Sequence, residues 1–462
     1  MPTVNEGIVY LARRLSWTHL LAAQLLLGFH HPALAGHGAA NVQVYNAIGV
    51  QSAGGALSVS GGLGATYYAD AGLENGTYLT VTLPQGFTFG SIPALKAIVT
   101  GVLEVGKGGM VVSGGTGSGF VTYRLIGSIP AGAPLVLTGG STGTVFTVEN
   151  AFALTQQSSE PLAIAFQASG NAMPARNDPV PVTVPAFRSS LGVELTLQTQ
   201  NNSIDVTWPS LGAKFTASGG TIPAAAYLGS VSFHVAGNVL NADASAFTVG
   251  PDDASTLTVR GAFRHLSGAY LDPGNSACST VPPAGAIIGA VSATSLIFAG
   301  VLPQRVYGVC LIADGVRLLD ENPAGSIRFS LPKTLRFGPA YAADPSDIRY
   351  DGGVVTPRLT FITGSDAGYS SLVSITNQSA TTATLYAVAE PFTGGPPLPG
   401  LLGTLAAGAG MVFTEAQIGT ATGLSLANSG QRAVVRIIGV GADDVTASSL
   451  LVNPGGVVDN VR

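Results

Sequence analysis

The chain has 462 residues, 46% of them hydrophobic and only 10% charged, with 20 Lys and Arg against 25 Asp and Glu and a net charge of −5. A chain this apolar can bury a large core and is not disordered. It lacks the Glu, Lys and Arg of long helices and the basic surface that neutralises nucleic-acid phosphates.

Residues 1–35 read as an export signal. Arg13 and Arg14 form a positive start, Leu20 to Phe29 an apolar run of ten residues, and Ala33-Leu34-Ala35 a small-residue cleavage site before Gly36. That order is the one a secretory signal peptide has. Ten apolar residues are too few to cross a bilayer, which takes about 20. The part after the signal is expected to be secreted or held at the cell surface.

From there on the dominant period is two. Thr77 to Leu83 alternates Leu79, Val81 and Leu83 with polar neighbours and stops at Pro84-Gln85-Gly86. Phe120 to Ile126 repeats the pattern, and Pro130-Ala131-Gly132 leads into Leu135-Val136-Leu137. Similar short runs follow at Val231 to Val235, Leu257 to Val259, Val309 to Ile312, Ile327 to Leu331, Leu372 to Ile375 and Val434 to Ile438. Short strands separated by turn residues predict an all-β protein built of sandwiches. The one helix-like stretch is Thr414 to Ile418, a single turn at most. Ala284 to Leu302 is 19 residues without a charge, but its glycines, serines and flanking prolines predict two buried strands joined around Ser292–Thr294, not a membrane span.

Two stretches suggest boundaries. Arg176 to Ala186 holds Pro179, Pro181 and Pro185 and reads as an edge strand or linker. Pro339 to Gly353 gathers Pro, Asp and Gly. The expected organisation is three tandem Ig-like β-sandwich domains, 41–186, 187–338 and 339–462, consistent with roughly 100–200 residues per domain. Cys278 and Cys310 are the 2 cysteines of the chain. In an exported protein an even count predicts a disulfide, here inside the second domain.

Chemistry is sparse. Gly139-Gly140-Ser141-Thr142-Gly143 matches the GxSxG nucleophile pattern, but apolar strand-like runs flank it on both sides, whereas the nucleophile elbow needs a strand-to-helix turn. It is read as a hairpin turn. His37, His234 and His265 show no paired zinc spacing. Asp344, Asp347 and Asp351 fall together near the last boundary and are candidate calcium ligands, though calcium takes six to eight oxygens and Arg349 lies among them. No other cofactor is expected. Asn75, Asn201 and Asn377 head glycosylation sequons. A glycosidase would need paired carboxylates in a cleft, and Trp208 is the one tryptophan beyond the signal. An outer-membrane barrel would need regular strands and aromatic girdles.

Residues 359–461 carry a recognisable cadence: SSLVSITN at Ser370 to Asn377, TTATLYAV at Thr381 to Val388, LGTLAAG at Leu402 to Gly408, MVFT at Met411 to Thr414, RAVVRI at Arg432 to Ile437 and LLVNPGGVVDNV at Leu450 to Val461. This resembles the C-terminal β-sandwich module of bacterial secreted and S-layer-like cell-surface proteins. Glu390 to Gly400, with its prolines, departs from that pattern. The resemblance implies an extracellular, non-catalytic role and assigns no site residues. Together with the signal and the low charge, it leads to an expectation of an exported, non-enzymatic structural protein of the bacterial surface or matrix. Its partners would be copies of itself, because few charges guard its strand edges. The alternatives are an adhesin or glycan binder using sandwich loops and, last, a secreted hydrolase. No nucleic-acid partner is expected.

Overall fold

The computed structural model describes residues 36–461 apart from 40–41, 61–65, 71, 100–101, 140–144, 171–179, 217–223, 275–277, 364–369, 393, 425–430 and 453–457. The export signal expected at residues 1–35 lies outside the described residues, as does all of the GxSxG match except Gly139. The fold is all-β. Alternation in the sequence becomes alternation of burial: Phe120–Ile126 switches between buried and more exposed positions at every residue, and so does Tyr78–Thr82. The chain separates into two compact units, Met1–Ser190 with Asn238–Phe247, and Leu191–Gly237 with Thr248–Arg462.

In the first unit an eleven-stranded sheet and a three-stranded sheet enclose a core that includes Tyr67, Tyr123, Phe89, Phe146 and Phe166. The proline-rich expectation at Arg176 to Ala186 is corrected in its described part. Val182–Ser190 is an interior strand, antiparallel to Leu162–Ser169 and parallel to Gln43–Asn46. Pro185 has no N–H to offer the ladder, and the register shifts opposite it, between Leu162 and Ala163. Such an irregularity is how a sheet tolerates an interior proline. The strands around the GxSxG match are not a hairpin. Ala133–Thr138 pairs with Thr66–Ala69 and Ala94–Val99, whereas Val145–Glu149 belongs to the smaller sheet with Leu57–Ser60 and Thr88–Phe89. A short helix unforeseen in the sequence, Ala47–Ser52, starts where the Asn46 side chain accepts a hydrogen bond from Ile48 N.

The second unit begins with two five-stranded sheets. One contains Val193–Thr199, Ala225–Val235, Tyr307–Ala313, Leu266–Asp272 and Ile287–Ile288; the other contains Ala290–Val291, Ser295–Val301, Ser255–Arg260, Arg328–Leu331 and Ala340–Ala343. The uncharged segment Ala284 to Leu302 thus supplies strands to both sheets, with its turn at Ser292–Thr294 as expected. Its longest strand is half-buried rather than buried, with Leu296 and Phe298 inward and Ile297 outward. Cys278 is joined to Cys310, which is fully buried in Tyr307–Ala313. The link ties a loop to the central strand of its sheet, and Ser279 N donates to the Tyr270 hydroxyl at 2.8 Å beside it.

Pro339 to Gly353 is built into the structure rather than left as a linker. Ala340–Ala343 pairs with Arg328–Leu331, and Ile348–Asp351 runs parallel to Asn202–Asp205. Beyond it, a five-stranded sheet of Gly353–Val355, Leu359–Thr363, Gln431–Val440, Ala383–Pro391 and Leu398–Leu405 faces a sheet of Gly410–Thr414, Ser370–Asn377, Val445–Val452 and Val458–Val461. Val373, Ile375, Leu385, Ala387, Val435 and Ile437 form the core between them. The single helical turn expected at Thr414 to Ile418 is longer, Glu415–Thr422. Thr414 and Gln417 form a reciprocal capping box and Gly423, at φ 70°, ends it, a start and stop worth about 1 kcal/mol or more.

Asn377, a sequon residue, is completely buried. Its amide donates to the carbonyls of Thr381 at 2.8 Å, Leu405 at 3.0 Å and Ala406 at 3.2 Å. It therefore fastens two turns of the C-terminal sandwich and is closed to glycosylation. Asn377→Ala is expected to cost about 2–4 kcal/mol, because three carbonyls lose their donor, as read by denaturant unfolding. Reducing the Cys278–Cys310 link, which spans 32 positions, should lower the stability of the second unit by about 2–4 kcal/mol, seen as a lower unfolding midpoint in dithiothreitol.

Candidate functional site

The structure gives the three candidate calcium ligands different surroundings. Asp344 is fully buried, and its Oδ1 accepts from the backbone N and the hydroxyl of Ser346 at 2.8 and 2.6 Å. Asp347 pairs with Arg349. Asp351 lies in a strand opposite Asp205. Among the described residues no group of three or more His, Cys, Asp or Glu side chains could hold a metal ion. His234 pairs across the strands with Glu194 at 3.0 Å, and His37 pairs with Asp70.

Ionisable groups do gather in the second unit, where its two sandwiches join. Here Val206, Leu211 and Leu318 pack on Val388 and Ile438, and Trp208 stacks on Tyr386 with ring centroids 5.7 Å apart. Arg436, its side chain only 9% exposed, reaches Asp320 at 2.9 Å, and Arg358 reaches Glu390 at 3.5 Å. Asn322 closes the same region, accepting from Ala262 N at 2.7 Å and donating to Ala262 O at 2.8 Å. The Tyr350 hydroxyl donates to Leu319 O at 2.8 Å, and burial pushes its pKa up. His265 holds a left-handed backbone at φ 66°, and its Nε2 is buried without a hydrogen-bond partner. Burial holds its pKa below the ordinary histidine value; Arg317 adds to this, while Glu390, Asp314 and Asp320 oppose it. Paired charges here surround a stacked aromatic couple. Of this cluster the sequence showed only an isolated Trp208 and a His265 beside a turn.

A second feature is a bare strand edge. Gly410–Thr414 is the last strand of its sheet, pairing with Ser370–Asn377 on one side. It carries no charge and no proline, and Met411 and Val412 are 43% and 51% exposed. Sheet edges are normally blunted by charges, prolines or bulges. The neighbouring edge strand Leu398–Leu405 has both Pro399 and a register shift, and Val458–Val461 carries Asp459. The edge strand Ala340–Ala343 packs against Val193–Thr199. The signal in the sequence was the uncharged run Met411-Val412-Phe413, legible as a strand but not as an edge.

No family model matches the chain, and no curated protein matches its sequence. Among solved structures, the partial N-terminal region of an enterococcal surface protein is similar over 68% of this chain and 95% of its own, at 8% identity and a TM-score of 0.21. The major pilin subunit of Bacillus cereus is similar over 71% and 80%, at 8% identity and a TM-score of 0.19. A C-terminal fragment of the major pilin of Streptococcus agalactiae is similar over 67% and 90%, at 7% identity and a TM-score of 0.20. Likenesses at such TM-scores carry no argument about this chain, whose role has to be argued from its own residues. Among the described residues no helix is long and apolar enough to cross a membrane.

The depressed His265 pKa has a consequence with a definite sign. The unfolded chain binds the proton more readily than the folded one, so stability is present above the ordinary histidine pKa and is lost as pH falls through it. Melting temperature should therefore drop between about pH 7 and pH 5. His265→Asn, which cannot take up the proton and tolerates the left-handed backbone, should flatten that slope.

Proposed function

We propose that the chain is an exported, non-enzymatic structural protein of the bacterial surface or extracellular matrix that associates with copies of itself through the strand Gly410–Thr414. The observation that carries this reading is the unblunted edge of that strand. Five residues at about 3.4 Å each give an edge roughly 17 Å long. Paired antiparallel with the same strand of a second copy, it would place Val412 opposite Val412 in a self-complementary contact and continue one sheet into the next. The backbone would supply the hydrogen bonds. The low charge of the chain, 10% of its residues, keeps repulsion between copies small.

Such a contact is small beside the roughly 1,200–2,000 Å² of a stable interface. It acts where copies are crowded, as they are on a cell surface. Sedimentation of the full chain over a rising concentration series should show a mass that grows with concentration. Val412→Lys places two positive charges face to face across the pairing and should return the protein to monomer while leaving its melting temperature within about 0.5 kcal/mol of stability. A constant monomer mass in the parent, or association unchanged by Val412→Lys, would remove the reading.

A further inference from the structure

The sheet that ends in Ala340–Ala343 has one face in the core and one open. Leu257, Val259, Leu296, Phe298, Phe329 and Leu331 point inward and are buried. On the open face the register aligns two rows of side chains across the strands. In one, Ile297, Thr258, Ser330 and Tyr341 are successive cross-strand partners. In the next, Ser295, Arg260, Arg328 and Ala343 are. With Thr256 and Pro332, the residues of these rows other than Ser295 line an open groove of about 800 Å³.

Arg260 and Arg328 sit directly opposite each other and both are exposed. Among the described residues neither takes part in an ion pair. Like charges at directly opposed positions of a sheet are destabilising, and the chain has only 20 Lys and Arg to place. Two unengaged guanidinium forks side by side are suited to a carboxylate or sulfate, which they can hold by charge-assisted, bidentate hydrogen bonds.

The rest of the face restricts what carries that anion. Tyr341 is 73% exposed at one side of the groove, offering an aromatic face. The floor beside the arginines carries the hydroxyl of Thr258 and that of Ser330, which donates to Thr258 O at 3.4 Å and keeps its capacity to accept. Strands lie about 4.8 Å apart, so the row from Ile297 to Tyr341 is roughly 14 Å long. The backbone N–H and C=O groups of the inner strands are already used by the sheet, so an extended peptide laid on this face would find no main-chain partners. A ligand bearing hydroxyls, an apolar ring face and an anionic group fits all four side-chain types. We propose that this groove binds an acidic oligosaccharide, one whose sugars carry carboxylate or sulfate groups. The site is a sheet face, not the sandwich loops, and it is independent of the association edge.

The test is calorimetric titration of the full chain with three probes: oligogalacturonate, a sulfated dextran oligosaccharide and neutral dextran of the same length. Binding of at least one acidic sugar, and none of the neutral one, is expected, with carboxylate and sulfate distinguished by which acidic probe is preferred. Arg260→Gln with Arg328→Gln should weaken the preferred probe by about tenfold or more and reduce the dependence of affinity on salt. Tyr341→Ala should weaken it as well. The double arginine variant should melt no lower than the parent, since it removes a repulsion. A lowered melting temperature would mean that the pair serves the fold and would overturn the assignment. Absence of binding to both acidic sugars would overturn it too. Polyglutamate bound as tightly as oligogalacturonate, with no effect of Tyr341→Ala, would mean attraction to any polyanion and would equally end the proposal.

Discussion

Pairing between strands far apart in the sequence is what this protein depends on. Large side chains are scarce, with aromatics at 7% of residues, so much of each core is filled by Val, Leu, Ile and Ala. Packing of that kind contributes through area rather than through a few large anchors. It works only when sheets are assembled in the correct register, because a slip of one residue turns every apolar side chain outward. The devices that fix register are therefore prominent. Asn377 ties two turns to one strand end, the disulfide ties a loop to a central strand, and the register shift opposite Pro185 lets an interior strand carry a proline.

Local pattern made some of this readable in advance. Phe120–Ile126 could be placed residue by residue, because period-two alternation determines burial whatever the neighbours are. The start of the helix Glu415–Thr422 was readable as a single turn from Thr414 to Ile418, but its extent depends on packing against Leu398–Leu405. Lateral neighbours were not readable. Arg176 to Ala186 reads as an edge strand or linker because its prolines are a local feature, while the place of Val182–Ser190 inside a sheet depends on strands at residues 43–46 and 162–169. The two strands around Gly139 look like a hairpin for the same reason, and pairing sends them into different sheets.

The surface features follow the same division. Each of Arg260 and Arg328 can be assigned from alternation to the outward face of its own strand. That they stand opposite each other is a property of register between two strands nearly seventy positions apart, and no local signal contains it. The aspartates at 344, 347 and 351 show the converse. They are close in sequence, yet one turns inward to shape a turn, one pairs with Arg349 and one lies in a strand. Proximity along a β chain says little about proximity of side chains, since neighbours point to opposite faces.

The parallel pairing of Asn202–Asp205 with Ile348–Asp351 has a consequence for how the chain is made. Asn201 and Asp347 hydrogen-bond across 146 positions, and although Asn202–Asp205 can pair early with Lys214–Phe215, its parallel partner is available only with the later strand. Contacts of such long range slow folding, because loop entropy is lost before any contact is gained. Here the delay is written into the topology: this parallel pair cannot form until Ile348–Asp351 has been made.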